Sequence, residues 1–89
     1  MLNLQRRRGE KIYIEDEPLT ILQFHNTFLV YEYQGTLTLL QKDVPIQIDE
    51  TTTIQFDKRI RQVVRFKMKS VKPVYREEIY LKRKQEPTP

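Results

Sequence analysis

The sequence predicts an all-β chain, and three observations carry that expectation. Only two glycines occur among 89 residues, while runs rich in Val, Ile, Thr, Tyr and Phe recur between short polar clusters; this is the composition of strands separated by turns. Within the runs, apolar and polar residues alternate with period two, which sends one set of side chains to each face of a pleated strand. The segment YREEIYLKRK departs from this pattern. It is expected to be a strand end entering a short helix, with Glu77 and Glu78 in a first turn whose dipole favours carboxylates.

The elements follow in order. LNLQRR forms the first strand, with Leu2, Leu4 and Arg6 on one face and Asn3, Gln5 and Arg7 on the other. Gly9 offers the turn into KIYIE. Residues 15–18, EDEP, are expected to form the next turn, because Pro18 lacks the donor that a central ladder needs. LTILQF and TFLVYEY follow as strands, and Gly35 is the expected hinge of a hairpin into GTLTLLQ. VPIQI and TTIQF continue the series. RIRQVVRFKMK alternates as one strand, with Arg59, Arg61, Val63, Arg65, Lys67 and Lys69 on one side and Ile60, Gln62, Val64, Phe66 and Met68 on the other. Residues 85–89 are expected to form a flexible tail.

A chain of 10.9 kDa makes one domain. It buries only about 60 to 65% of its unfolded surface, a reason to share a core with a second copy. There is no cysteine to form a disulfide or a thiolate metal site, and one histidine, His25, is too little for a metal cluster. No metal or cofactor is expected. No apolar run approaches the roughly 18 residues of a membrane span, and the opening residues lack the apolar stretch of a secretory signal, so a cytoplasmic protein without membrane contact is expected.

The net charge of +4 divides unevenly along the chain. Arg6, Arg7, Arg8 and Lys11 against Glu10 give residues 1–11 a balance of +3; residues 12–57 carry −7 and residues 58–89 carry +8. Basic ends enclose an acidic middle, a distribution that focuses positive potential for a polyanion while the middle turns elsewhere.

The arginines of the first strand suit phosphodiester backbones, and Arg6 beside Leu4 couples an apolar contact to a planar fork able to hold a base edge. A solvated strand face is the alternative. For the stripe from Arg59 to Lys69, nucleic-acid contact stands beside edge protection and pairing with the chain's own acidic middle. Arg76 sits at the end of a strand, stiff enough for a specific contact, or else serves as a surface ion-pair partner of Glu77 or Glu78. Tyr31, Tyr33, Phe24 and Phe28 read as packing groups more than base-stacking platforms. Adjacent Glu77 and Glu78 diverge and cannot flank one scissile bond, and no residue pattern argues for catalysis.

The opening MLNLQRRRGEKIYI and the closing VYREEIY resemble the two ends of the bacterial carbon storage regulator family, also called the repressor of secondary metabolites family. The resemblance covers about 25 residues firmly. It implies an intertwined homodimer of antiparallel sheets with a short C-terminal helix. It also implies binding of Gly-Gly-Ala triplets in hairpin loops of message leaders or small RNAs, and so control of translation or message stability. In that family the first strand of one subunit lies beside the last strand of the other, giving two equivalent sites per dimer. On this correspondence Leu4 and Arg6, with Arg7 near the same surface, contact RNA from the first strand, and Val74 and Arg76 from the last; Arg7, Arg8, Arg65, Lys67 and Lys69 are expected to hold phosphates. The chain departs from the family by an extra segment, roughly residues 23–57, within a domain spanning residues 1–84. Gln5 stands where threonine is common and Tyr75 where histidine is common. The acidic extra segment also allows a second role: binding another regulator, or forming mixed dimers with one.

Overall fold

The computed structural model describes residues 1–85. Nine strands and one helix make up the described chain: β1 (Leu2–Arg7), β2 (Lys11–Ile14), β3 (Glu17–Phe24), β4 (Phe28–Tyr33), β5 (Thr36–Gln41), β6 (Ile46–Asp49), β7 (Thr52–Ile60), β8 (Val63–Ser70), β9 (Val74–Arg76) and α1 (Glu77–Gln85). The strands form two antiparallel sheets. One has the order β1-β8-β7-β6 and the other β5-β4-β3-β2-β9.

The period-two patterns bury one face of each sheet against the other. Leu4, Ile54, Phe56, Val64, Phe66 and Met68 come from the four-stranded sheet, and Ile12, Ile14, Leu19, Ile21, Leu29, Tyr31, Tyr33 and Leu40 from the five-stranded one; together they form one core. Each such side chain contributes about 1.5 to 3 kcal/mol by leaving water.

Local chemistry sets the turns. Gln34 and Gly35 both have positive φ, 52° and 79°, the conformation that a two-residue loop needs to match the strand twist. Gly9, at φ 84°, sits where the chain crosses from one sheet to the other, and its amide donates to the carbonyl of Ile21 at 2.7 Å.

Two expectations need correction. Pro18 lies inside β3, opposite Tyr13, and the turn is confined to Glu15 and Asp16. The β3–β4 ladder begins only at Leu19–Tyr33, so no β4 partner calls for a donor from Pro18. The stretch from Arg59 to Lys69 is two strands, because Arg61 (φ 57°) and Gln62 form the turn between β7 and β8. No glycine or proline marks that turn in the sequence.

The extra segment adds strands to both sheets, β4 and β5 to one and β6 and most of β7 to the other. Apart from Gln85, which ends α1, the expected tail lies outside the described residues.

The chain also repeats itself. The pairs Leu19–Tyr33 and Ile21–Tyr31 of β3 and β4 recur 35 positions later (19 to 54, 21 to 56) as Ile54–Met68 and Phe56–Phe66 of β7 and β8. A bulge interrupts each ladder after the second pair, between Ile21 and Gln23 and again between Phe56 and Lys58. The crossing at Gly9 has its counterpart at Asp43, also at positive φ, whose amide donates to the carbonyl of Phe56 at 2.9 Å. Each four-strand unit lends its first strand to the other's sheet: β1 pairs with β8, and β5 with β4. The exchange of strands is completed within one polypeptide.

Candidate nucleic-acid interface

β1 lies at the edge of one sheet and β9 at the edge of the other, and a single carboxylate ties the two edges together. Arg6 Nη1 and Nη2 donate to Glu78 Oε2 and Oε1 at 3.2 and 3.1 Å. Arg6 Nε donates to the Gln5 carbonyl at 2.7 Å, and Nη1 also donates to the Lys11 carbonyl at 3.3 Å. The same Glu78 Oε1 also pairs with Arg76, 3.4 Å from Nε. The Arg6 guanidinium, hydrogen bonding within α1 and the positive charge of Arg76 hold the Glu78 carboxyl below its ordinary value of 4.5. The first and last segments therefore meet within one chain, at a seam between the sheets.

Accessibility sorts the expected site residues into three groups. Leu4 and Arg6, only 6% and 7% exposed, point inward, Leu4 opposite Phe66 and Arg6 opposite Val64. At the seam, Val74 is half-buried opposite Ile14, while Arg76, opposite Ile12, is exposed. Arg7 and Arg8 are exposed at the rim, where Glu10 accepts from the Arg7 amide at 2.6 Å and so fixes the turn.

Arg65, Lys67 and Lys69 belong to a different surface, the outer face of the four-stranded sheet. Directly opposed residues of antiparallel strands share a face, so Asn3, Lys67 and Gln55 make one row and Gln5, Arg65 and Lys58 the next. Asp57 accepts from Arg65 Nε at 2.9 Å and has its carboxyl lowered by that bond. Pairing with the acidic middle therefore accounts for Arg65. Among the described residues, no carboxylate lies within ion-pairing distance of Arg7, Arg8, Lys67 or Lys69.

The sequence offers Glu78 only as a surface partner of Arg76, a pair that is present; its hold on Arg6 is not legible, because adjacent Glu77 and Glu78 look alike until the helix turns one of them toward β1. The alternation that puts Asn3 and Gln5 on the face of Arg7 is legible in the sequence; that Gln55 joins their row is not. Helix α1 is seated by Tyr80, which stacks on Tyr13 with centroids 3.8 Å apart and donates to Asp16 Oδ1 at 2.9 Å. His25 packs its ring against Phe28, 4.7 Å between centroids.

No family model, curated protein or solved structure matches the chain. The resemblance to carbon storage regulators rests on the terminal motifs. No helix among the described residues is long and apolar enough to cross a membrane.

Proposed function

We propose that the chain is an RNA-binding regulator of translation or message stability, acting in the cytoplasm on exposed Gly-Gly-Ala loops of message leaders or small RNAs. The observation that carries this reading is the seam, where Glu78 holds Arg6 and Arg76 at 3.1 and 3.4 Å beside the open edge of β1.

The residues divide the work. Arg76 is half exposed with its guanidinium steadied by Glu78, and a planar fork of this kind holds the O6 and N7 edge of guanine. Among the described residues the outer edge of β1 has no strand partner; its Gln5 carbonyl and Arg7 amide are taken by Arg6 and Glu10, and the main-chain groups nearer Leu2 and Asn3 are left for other base edges of a single-stranded loop. Buried Arg6 and Leu4 act from beneath as positioning residues that fix β1. Arg7, Arg8, Lys67 and Lys69 supply phosphate contacts, which give affinity without sequence choice. Arg65, paired with Asp57, takes a supporting role in this reading.

Fluorescence anisotropy at a fixed salt of about 0.15 M tests the reading, with a hairpin displaying Gly-Gly-Ala compared with the same hairpin carrying a scrambled loop. A preference of tenfold or more, about 1.4 kcal/mol, is expected. Equal affinity for both loops leaves only phosphate binding and removes the specific reader.

A second reading has an observation of its own. Leu37 and Leu39 are 63% and 50% exposed on β5, at the open edge of its sheet, and an apolar edge strand is a template for another chain. Binding to another regulator would use this edge. Co-purification of a protein partner that survives nuclease treatment and is lost on Leu39→Lys is the expected sign.

A further inference from the structure

The two repeated units give the molecule two seams, and only one of them carries the proposed reader. The first lies between β1 and β9. The second lies between β5 and β6, where Tyr31, Tyr33, Thr36, Thr38, Ile46 and Ile48 line a groove of about 240 Å³.

Register fixes the correspondence. Arg6 stands opposite Val64 on β8, and Leu40 stands opposite Leu29, the equivalent residue of β4. Leu40 therefore occupies the place of Arg6, and both side chains are buried. One step on, Gln41 replaces Arg7, Lys42 replaces Arg8, and Asp43 replaces Gly9, as the matching turn bonds Glu10 N to Arg7 O and Val44 N to Gln41 O confirm. Lys42 is held by Asp43 at 2.8 Å, so the three arginines of the first seam give way to an apolar residue, an amide and a paired cation. Among the described residues β9 has no counterpart either, because β2 carries it on its outer edge while β6 ends its sheet. The second seam thus lacks the equivalents of Arg6, Arg76 and Glu78.

We infer that the chain holds one RNA loop and no more. This inference rests on the RNA-binding reading and specifies its valency: each chain is a self-contained unit that occupies a single loop and cannot clamp two loops of one transcript. The two equivalent sites of an intertwined dimer, as the terminal resemblance implies, would be replaced by a single site in a chain that completes the exchange of strands by itself. Bridging two loops makes the second contact intramolecular and raises apparent affinity by about 10² to 10⁴. A univalent chain forgoes that gain and competes for each loop separately.

Two measurements test this together. Light scattering of the free protein is expected to give the mass of one chain, 10.9 kDa. Titration of an RNA with two Gly-Gly-Ala hairpins on a flexible linker, against an RNA with one, is expected to show about a twofold statistical gain in affinity and two chains per two-loop RNA at saturation. Arg76→Glu is expected to abolish loop-specific binding, and Lys42→Gln to leave it unchanged. A linkage gain of tenfold or more, a dimer seating two loops, or a second loop held per chain and lost in Lys42→Gln would overturn univalency while leaving RNA binding intact. A monomer that distinguishes no loop at all would overturn the RNA reading and this inference with it.

Discussion

Glu78 holds two arginines of very different accessibility, and that difference decides what each can do. Arg6 is buried with its donors turned onto Glu78 and two carbonyls, so removing the carboxylate leaves a buried cation short of partners. Such a loss is costly in a core, but Arg6 keeps Glu10 at 3.8 Å, Glu78 is 54% exposed at its side chain and water screens the change. Glu78→Gln is therefore expected to cost about 1 to 2 kcal/mol, toward and below the low end of the range for hydrogen bonds to a charged group, read as a lower urea midpoint with an unchanged slope. Arg76→Ala removes an exposed group. It is expected to leave the urea midpoint nearly unchanged and to weaken Gly-Gly-Ala loop binding by about 1 to 3 kcal/mol, measured by anisotropy.

Acid sensitivity belongs to the same residues. The carboxyls of Glu78, Asp49 and Asp57 are held below their ordinary values of 4.5, 3.8 and 3.8, first by hydrogen bonds from Arg6, the Thr51 amide and Arg65 respectively. A group whose pKa is lowered on folding contributes stability that is complete above its unfolded value and is lost as pH falls through its folded value. The thermal midpoint is expected to be flat with respect to these groups above about pH 5 and to fall below about pH 4, less steeply in Glu78→Gln. A midpoint in that variant that falls as steeply as in the parent would remove Glu78 from the acid response.

Among the elements, the β4–β5 hairpin was legible and the β7–β8 hairpin was not. Gly35 announces the first by its freedom at positive φ. A Cβ built on Gly35 meets nothing within 4 Å, so Gly35→Ala imposes only the strain of a left-handed conformation, about 1 to 2 kcal/mol. The lowered thermal midpoint it produces is expected without any change in loop affinity, since the seam lies elsewhere. Arg61 takes the same left-handed region without glycine, held there by the paired strands around it, and no residue-level preference foretells that. Pro18 teaches the converse lesson: a strand tolerates proline where the neighbouring ladder has not yet begun.

For the whole molecule, the outer face of the four-stranded sheet and the seam serve different terms of binding. Lys67 and Lys69 lie on β8, on the outer face of that sheet and away from the Glu78 clasp. Lys67→Gln is therefore expected to weaken all RNA sequences alike and to reduce the slope of log affinity against log salt by about 1. A loss confined to Gly-Gly-Ala loops would instead put Lys67 at the reader. The acidic middle does not form a separate lobe. Its strands enter both sheets, and Asp57 and Asp49 pair with Arg65 and Lys72 from the basic end, so the charge blocks seen along the chain are partly cancelled in space.

The amino-acid sequence by itself determined the all-β class, most strand positions, the Gly35 hinge and the helix led by Glu77 and Glu78, because period-two burial, glycine at positive φ and charge at a helix end are all local requirements. It also singled out Arg6 and Arg76. Only the tertiary structure decided that these arginines share one carboxylate within a single chain, that Leu4 and Arg6 face inward, and that the extra segment completes a second strand-exchanging unit. Those outcomes depend on which sheet edges meet, and pairing across distant segments is set by register and burial of the whole core, which no local pattern encodes.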